Sequence, residues 1–257
     1  MIKILSIAGS DPSGGAGIQV DLKTFQSLGA FGMAIPAALT AQSSRGVFSV
    51  SPVPSADLKR QLKALLSDIK PAAVKTGMLL TRANVDAVAA AVKEFRIRNL
   101  IIDPVLLSSS GRTLLRKDAV PLLRKKLLPL ALVVTPNIME AEALAGMAIR
   151  SEQDMDFAAG RILDLGPSYV LIKGGHRASS AAEDTLYGGQ KVLAFSTPWR
   201  SGEVHGTGCV LSSAVAVFIG RGYAVEKAVE KAKEHVDTLL RKAKPAGKNR
   251  NLRYFQI

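Results

Sequence analysis

The chain has 257 residues, with 34 Lys or Arg against 21 Asp or Glu, a formal net charge of +13. Hydrophobic residues make up 47% and charged residues 21%, ordinary globular usage that excludes a disordered or collagen-like chain. The single cysteine, Cys209, excludes an internal disulfide and an extracellular disulfide scaffold, and a reducing compartment, the cytoplasm, is expected.

No run of about 18 apolar residues is free of charge, so no membrane span is expected. The apolar start, Ile2–Ala8, is short, runs into Gly9-Ser10-Asp11 and reads as a buried strand. Helical spacing follows over Gly17–Leu28, then strands over Met33–Leu39 and Val47–Val53 and a helix over Ala56–Ile69. Ala72–Lys75 is a short strand, Asn84–Phe95 a helix, and Leu100–Asp103 a strand closed by Pro104. A basic helix is predicted from Lys117 to Lys126. A strand (Ala131–Thr135), two helices (Asn137–Ala145 and Asp154–Leu165) and a strand (Tyr169–Lys173) come next. Thr185–Tyr187 and Val192–Phe195 flank Gly188-Gly189, a hairpin signal. Val210–Gly220 is an apolar, buried helix, and Val225–Arg241 a basic one with a solvated face.

Strands alternating with helices predict an α/β chain whose mostly parallel sheet is covered on both faces. No linker, repeat or low-complexity segment divides it, so one domain over 1–257 is expected. Ten basic residues against four acidic ones lie between Arg221 and Arg253, and Arg112, Arg116, Lys117, Arg124, Lys125 and Lys126 form a second cluster. Neither is interleaved with stacking aromatics, so the charge favours anionic small molecules over nucleic acid.

Ligands of such sheets bind beyond the carboxyl ends of the strands, where the unusual residues fall: Gly9-Ser10-Asp11, Lys75-Thr76-Gly77, Asp103-Pro104, Thr135-Pro136-Asn137 and Lys173-Gly174-Gly175-His176. Gly206-Thr207-Gly208-Cys209 opens the apolar helix. Consecutive N–H groups and the helix dipole there make an anion hole that can hold a transferring phosphoryl group, the alternative being an ordinary glycine-rich helix start. Cys209 lies in the first turn, where a thiol pKa tends to fall. Residues 6–17 carry four glycines, but neither a P-loop nor a dinucleotide fingerprint closes, since position 20 is Val. Asp103 and Glu140 can hold Mg²⁺, while Asn137 and Glu140 also suit a capping box. Lys173 can pair with phosphate oxygens. His205 and His176 are lone histidines without zinc spacing.

These motifs together resemble the ribokinase-like family of small-molecule kinases, and within it the hydroxymethylpyrimidine/phosphomethylpyrimidine kinases. The matching segments are SIAGSDPSGGAGIQVDLKTF (6–25), ALTAQ (38–42), VKTGML (74–79), DPVL (103–106), TPNIMEAEAL (135–144), IKGGH (172–176), DTLY (184–187) and HGTGCVLSSAVA (205–216). The resemblance covers about residues 3–225. It implies a three-layer sandwich with a minimal lid, usually a homodimer. It also implies ATP- and Mg²⁺-dependent phosphorylation of 4-amino-5-hydroxymethyl-2-methylpyrimidine and then of its monophosphate. Carried across, Gly9, Asp21, Gln42, Met78 and Val105 would line the pyrimidine pocket, with Gln42 on the amino and nitrogen edge and Asp21 hydrogen-bonded to the hydroxymethyl or a ring group. Asn137, Lys173 and Thr207 would hold ATP phosphates, Asp103 and Glu140 would organise Mg²⁺, and Gly206–Cys209 would be the anion hole. Two departures border the expected substrate site: Ser43-Ser44 stand where Asn-Thr is usual, and Arg112 where an acid is common. Loops 10–17 and 106–113 are the expected closing segments. A pyridoxal-type kinase and a non-catalytic pyrimidine-binding protein of the same fold are the competing readings.

Overall fold

In a computed structural model that describes residues 1–108, 111–174, 181–189, 191–200 and 202–257, nine strands form one sheet. From edge to edge they are β3 (Gly46–Pro52), β2 (Phe31–Ser43), β1 (Lys3–Ser10), β4 (Ala73–Thr76), β5 (Leu100–Ile102), β6 (Val133–Val134), β7 (Tyr169–Lys173), β8 (Ala181–Gly188) and β9 (Lys191–Pro198). The strands from β2 to β7 are parallel. The edge strand β3 and the β8–β9 hairpin are antiparallel.

The pleat sends alternate side chains to opposite faces. Ile4 of β1 packs under α1 (Gly17–Ser27), α7 (Thr207–Gly220) and α8 (Val225–Leu240). Leu5 and Ile7 pack under α2 (Ser55–Asp68), α3 (Arg82–Glu94), α5 (Ile138–Ala145) and α6 (Glu152–Leu163). With both faces covered, central strands read as unbroken apolar runs. The β1–β2 crossover uses α1 on one face and the β4–β5 crossover uses α3 on the other. The direction of winding therefore changes between β1 and β4, and a crevice opens at their carboxyl ends.

Two readings need correction, and one segment is added. The basic stretch 117–126 is not one regular helix. It passes through 3-10 turns at Lys117–Ala119, the short α4 (Val120–Leu122), a π segment at Leu123–Leu127 and 3-10 turns at Leu128–Leu130. Pro121 and Pro129 supply no N–H and break the ladder. The basic helix α8 is not solvated throughout, because Lys233 is buried and paired with Asp184 of β8. The C-terminal tail, to which the sequence assigned no element, is ordered: β11 (Lys244–Pro245) and β12 (Leu252–Tyr254) join β10 (Glu203–Val204) in a second sheet, with Leu252, Tyr254 and Phe255 buried. Strands of two or three residues show no period, so the sequence gives no sign of them. Among the described residues no helix is long and apolar enough to cross a membrane.

Candidate active site

The first turn of α7 is set by Gly206. Its φ is 78°, and a Cβ there would stand 2.0 Å from the Gly15 carbonyl oxygen, so only glycine fits. No side chain caps the helix, which leaves the first N–H groups facing the crevice. Behind them every residue from Val210 to Ile219 is buried, so packing holds this terminus in place. Thr207 is fixed by its hydroxyl, which donates to the Val204 carbonyl at 3.0 Å.

Gly208 brings α7 against two charged groups, Lys173 and Asp103. A Cβ on it would lie 3.0 Å from Lys173 Nζ and 3.8 Å from Asp103 Oδ2. Lys173, at the end of β7, donates to Asp103 Oδ1 at 3.0 Å and stands 3.9 Å from Glu140 Oε2. Burial opposes the Lys173 charge, but Asp103 and Glu140 outweigh it, so the ammonium keeps its proton above the ordinary lysine range. Asn137 and Glu140 do form a capping box. Asn137 Oδ1 accepts from the Glu140 N–H at 2.8 Å, and Glu140 Oε2 accepts from the Asn137 N–H at 2.9 Å. The same two residues also line the crevice, so capping does not withdraw them from it. Glu140 Oε1 takes the Leu106 N–H. Burial pushes the Glu140 carboxyl above its usual range, Asp103 adds to the rise and Lys173 works against it.

The crevice is a cavity of about 430 Å³, within the usual range for a small-molecule site. At the β1–β2–β4 end its wall includes Gly9, Gln42, Met78 and Val105. Val105 has a φ of 43°, a strained position for a β-branched residue and one of the kind found at ligand sites. At the β8–β9 end the wall includes Trp199, Lys233, Val236 and Leu240. Sheet order therefore places the α7 terminus and Lys173 between two subsites.

Asp21 is the clear correction. It is fully buried and does not reach the cavity. It takes bonds from Lys75 through both carboxylate oxygens, from Ser6 and from Ser213, which leaves no lone pair aimed at a ligand. Its partner Lys75, equally without exposed surface, lies directly behind the cavity wall. Cys209 is the second correction. It is half-buried at the cavity wall, and burial pushes its thiol up to about 11, although Lys75 and the Gly17 N–H work the other way.

The departures from the family pattern find structural partners. Ser44 is buried and its Oγ accepts the Asn249 N–H of the tail at 3.2 Å, with Gly247 pressed against it. Arg112 donates to the Val47 and Phe48 carbonyls at 3.0 and 2.7 Å, fastening its loop to β3. Loop 10–17 is tied by Asp11, which takes the N–H groups of Ser13 and Ala16, the Ser13 hydroxyl and His205. Ser109 and Ser110 of the other loop, and Gly175 and His176, lie outside the described residues.

Sequence reasoning placed Asp11 and Lys75 at ligand-facing strand ends without a specific role, and gave none to His205 or to the Trp199–Lys233 end. The available signal was Lys75 itself, a charge inside the apolar strand Ala73–Thr76. Among the described residues no three His, Cys, Asp or Glu gather as a metal cluster. Asp103 and Glu140 beside Lys173 are nonetheless the oxygen donors that suit Mg²⁺, which commonly uses one or two carboxylates together with substrate phosphates.

A doubly covered, mostly parallel sheet with a helix N-terminus and a lysine between two subsites defines a ribokinase-like small-molecule kinase. Comparison with known proteins agrees. Residues 11–252 match the family model described as phosphomethylpyrimidine kinase, and the chain belongs to that family. It is 43% identical over 246 residues to the thiamine biosynthesis bifunctional protein ThiED of Geobacter sulfurreducens, which covers 95% of this chain but only half of that longer protein. The crystal structure of phosphomethylpyrimidine kinase from Clostridium difficile 630 is 40% identical with a TM-score of 0.83, covering 93% of this chain and 99% of that one. The pyridoxal kinase of Staphylococcus aureus, in complex with AMP-PCP and pyridoxal, is 32% identical with a TM-score of 0.89, covering 100% and 93%.

Proposed function

We propose that the chain, acting as one kinase domain, transfers the γ-phosphoryl group of ATP to 4-amino-5-hydroxymethyl-2-methylpyrimidine and then to its monophosphate, giving the diphosphate used in thiamine biosynthesis. The observation that carries this is the uncapped α7 terminus flanked by Lys173, in one cavity with Gln42, Met78 and Val105. The family membership supplies the substrate class.

The chemistry is in-line phosphoryl transfer, in which positioning and charge stabilisation do most of the work. The N–H groups of Thr207, Gly208 and Cys209 meet charge on the transferring group, and the Lys173 ammonium meets phosphate oxygens. Asp103 holds Lys173 in place. Asp103 and Glu140 would hold Mg²⁺, which would supply charge neutralisation for the ATP phosphates. Asn137 would lie with Lys173 along the ATP phosphates, and Gln42 would read the ring. A thiol with its pKa near 11 is protonated at neutral pH, so Cys209 shapes the hole and does not take the hydroxyl proton. We place the enzyme in the cytoplasm, with its lone free cysteine reduced, and as a homodimer, which sedimentation equilibrium tests.

The test of function is a panel of hydroxymethyl-bearing rings with ATP and Mg²⁺, products followed by mass. Two successive phosphate additions to the pyrimidine are expected, and no addition would overturn the reading. The likeness to pyridoxal kinase favours a second reading, phosphorylation of pyridoxal, which a higher kcat/KM on that substrate would establish.

A further inference from the structure

Contacts that meet at His205 decide which way the Gln42 amide faces. Gln42 Nε2 and Asp11 Oδ2 each lie 2.9 Å from His205 Nε2. An imidazole nitrogen carries at most one proton. Asp11 acts as an acceptor throughout, taking two backbone N–H groups and a hydroxyl besides the ring. Burial opposes its charge, but His205 and Ser13 outweigh it and hold the carboxyl below the ordinary aspartate range. The proton between the two groups therefore sits on His205 Nε2 and is donated to Asp11. A bare ring nitrogen would set two lone pairs against each other. With the ring nitrogen protonated, a Gln42 –NH2 group beside it would meet it donor to donor.

The other end of the amide leads to the same conclusion. The Thr40 hydroxyl donates to the Ser10 carbonyl at 2.9 Å, and Gln42 Oε1 lies 3.4 Å from the same hydroxyl oxygen. The one hydroxyl hydrogen is used on Ser10, so Thr40 Oγ1 offers Gln42 only lone pairs. Turning the amide end for end relieves both contacts at once: Oε1 shares the His205 Nε2–H with Asp11 in a three-centre bond, and Nε2 donates to a Thr40 lone pair. The two ends of an amide have nearly the same shape, so the hydrogen-bond network, and not packing, selects between them.

We infer that Asp11 and His205 are positioning residues that lock the Gln42 amide with its carbonyl towards His205 and its –NH2 towards Thr40, and so fix the order of donor and acceptor that the pocket accepts on a ring edge. This rests on the ring-reading role of Gln42 proposed above. The matching edge carries an exocyclic amino donor on the His205 side and a ring-nitrogen lone pair on the Thr40 side, as a 4-aminopyrimidine does. The 4-oxo analogue exchanges the two, presenting a carbonyl acceptor beside a ring N–H donor, and is rejected for that reason. Tyr254 of the tail sits edge-on to the His205 ring, with centroids 5.7 Å apart, and so keeps the ring from swinging away.

The test has two arms. In the first, the NMR spectrum of the ligand-free protein should show the Gln42 side-chain –NH2 protons close to Thr40 protons. Proximity to the His205 ring protons instead would overturn the inference. In the second, His205→Leu should weaken the 4-aminopyrimidine about tenfold, the scale of one lost hydrogen bond, and narrow its preference over the 4-oxo analogue by at least that factor. The KM for ATP should hold. His205→Gln, whose amide nitrogen can donate as the ring does, should restore most of the preference. An unchanged ratio in His205→Leu, or no rescue in His205→Gln, would overturn the inference. Failure of the wild type to phosphorylate the aminopyrimidine would overturn the proposed function instead, and the ligand-free spectrum would still decide the amide.

Discussion

Lys75 and Asp21 form an ion pair with no exposed side-chain surface, Lys75 Nζ lying 2.9 and 2.8 Å from the two carboxylate oxygens. The pair joins β4 to α1, and Asp21 extends it to β1 through Ser6 and to α7 through Ser213. Burial alone would drive the proton off Lys75, but Asp21, with Cys209 and Asp103, more than reverses that and keeps the amine charged. The α7 terminus therefore rests on a fixed positive charge held below it.

Removing one partner leaves the other charge buried and alone. Lys75→Met should lower the unfolding free energy by about 3–5 kcal/mol, the usual cost of breaking such a pair. Lys75→Met with Asp21→Leu should recover most of it, because an apolar pair needs no compensation. Urea unfolding measures both. If the double variant folds well yet turns over slowly, the pair serves the anion site and not only the fold. If single and double variants are equally destabilised, the two side chains do not act as a pair.

Gly208→Val tests the cradle. The two glycines of the turn differ: Gly206 holds the left-handed conformation, whereas Gly208 is needed for space, with Lys173 Nζ 3.0 Å from where its Cβ would be. A valine there displaces Lys173 from Asp103 and crowds the transferring group. The kcat should fall by about 10²-fold or more, the scale of losing one such donor, with little change in thermal stability. Near-normal turnover would put the phosphoryl site elsewhere.

Elements with a strong period or a long apolar run were legible in the sequence. Val210–Ile219 is apolar except for Ser212 and Ser213, and every residue of it is buried in the helix. The site was legible where a strand end and a helix start adjoin in sequence, as at Asn137–Glu140 and Gly206–Cys209. It was not legible where partners are distant. Lys75 and Asp21 are 54 residues apart, and nothing local tells an inward carboxylate from one aimed at a ligand. The tail was opaque for a related reason: Tyr254 acquires its place only by meeting His205 from the far end of the chain.

Glu140→Gln separates the capping role that the structure shows from the Mg²⁺ role proposed above. The glutamine carbonyl can still accept one N–H, but its –NH2 then faces the other of the two, Asn137 or Leu106, so stability should fall by about 1–3 kcal/mol. The neutral amide loses its hold on Mg²⁺. Turnover should drop and recover partly as Mg²⁺ is raised, while the wild type saturates early. Wild-type metal dependence in the variant would reduce Glu140 to a helix-start residue.

Cys209 can be titrated directly, because it is the only cysteine in the chain. The thiolate is the species that alkylates, and an unperturbed cysteine near pH 8.5 approaches its full rate by about pH 9.5. With the thiol pushed up to about 11, the ionised fraction at pH 7 is only about one in ten thousand. The rate of iodoacetamide labelling, followed by intact mass, should therefore rise about tenfold per pH unit through pH 9.5 without levelling off. Circular dichroism over the same range checks that the fold is intact, and ATP should slow the labelling by covering the site. A plateau near pH 8 would show a low-pKa thiol, the state a general base requires. Cys209→Ala gives the kinetic counterpart. It keeps the backbone N–H and removes only the sulfur, so a residue that shapes the hole loses less than about tenfold in kcat, whereas a base would lose about 10²-fold or more. Labelling without a plateau together with a modest loss in Cys209→Ala assigns the work to the N–H groups of the α7 terminus, and a low plateau with a large loss assigns it to the thiolate.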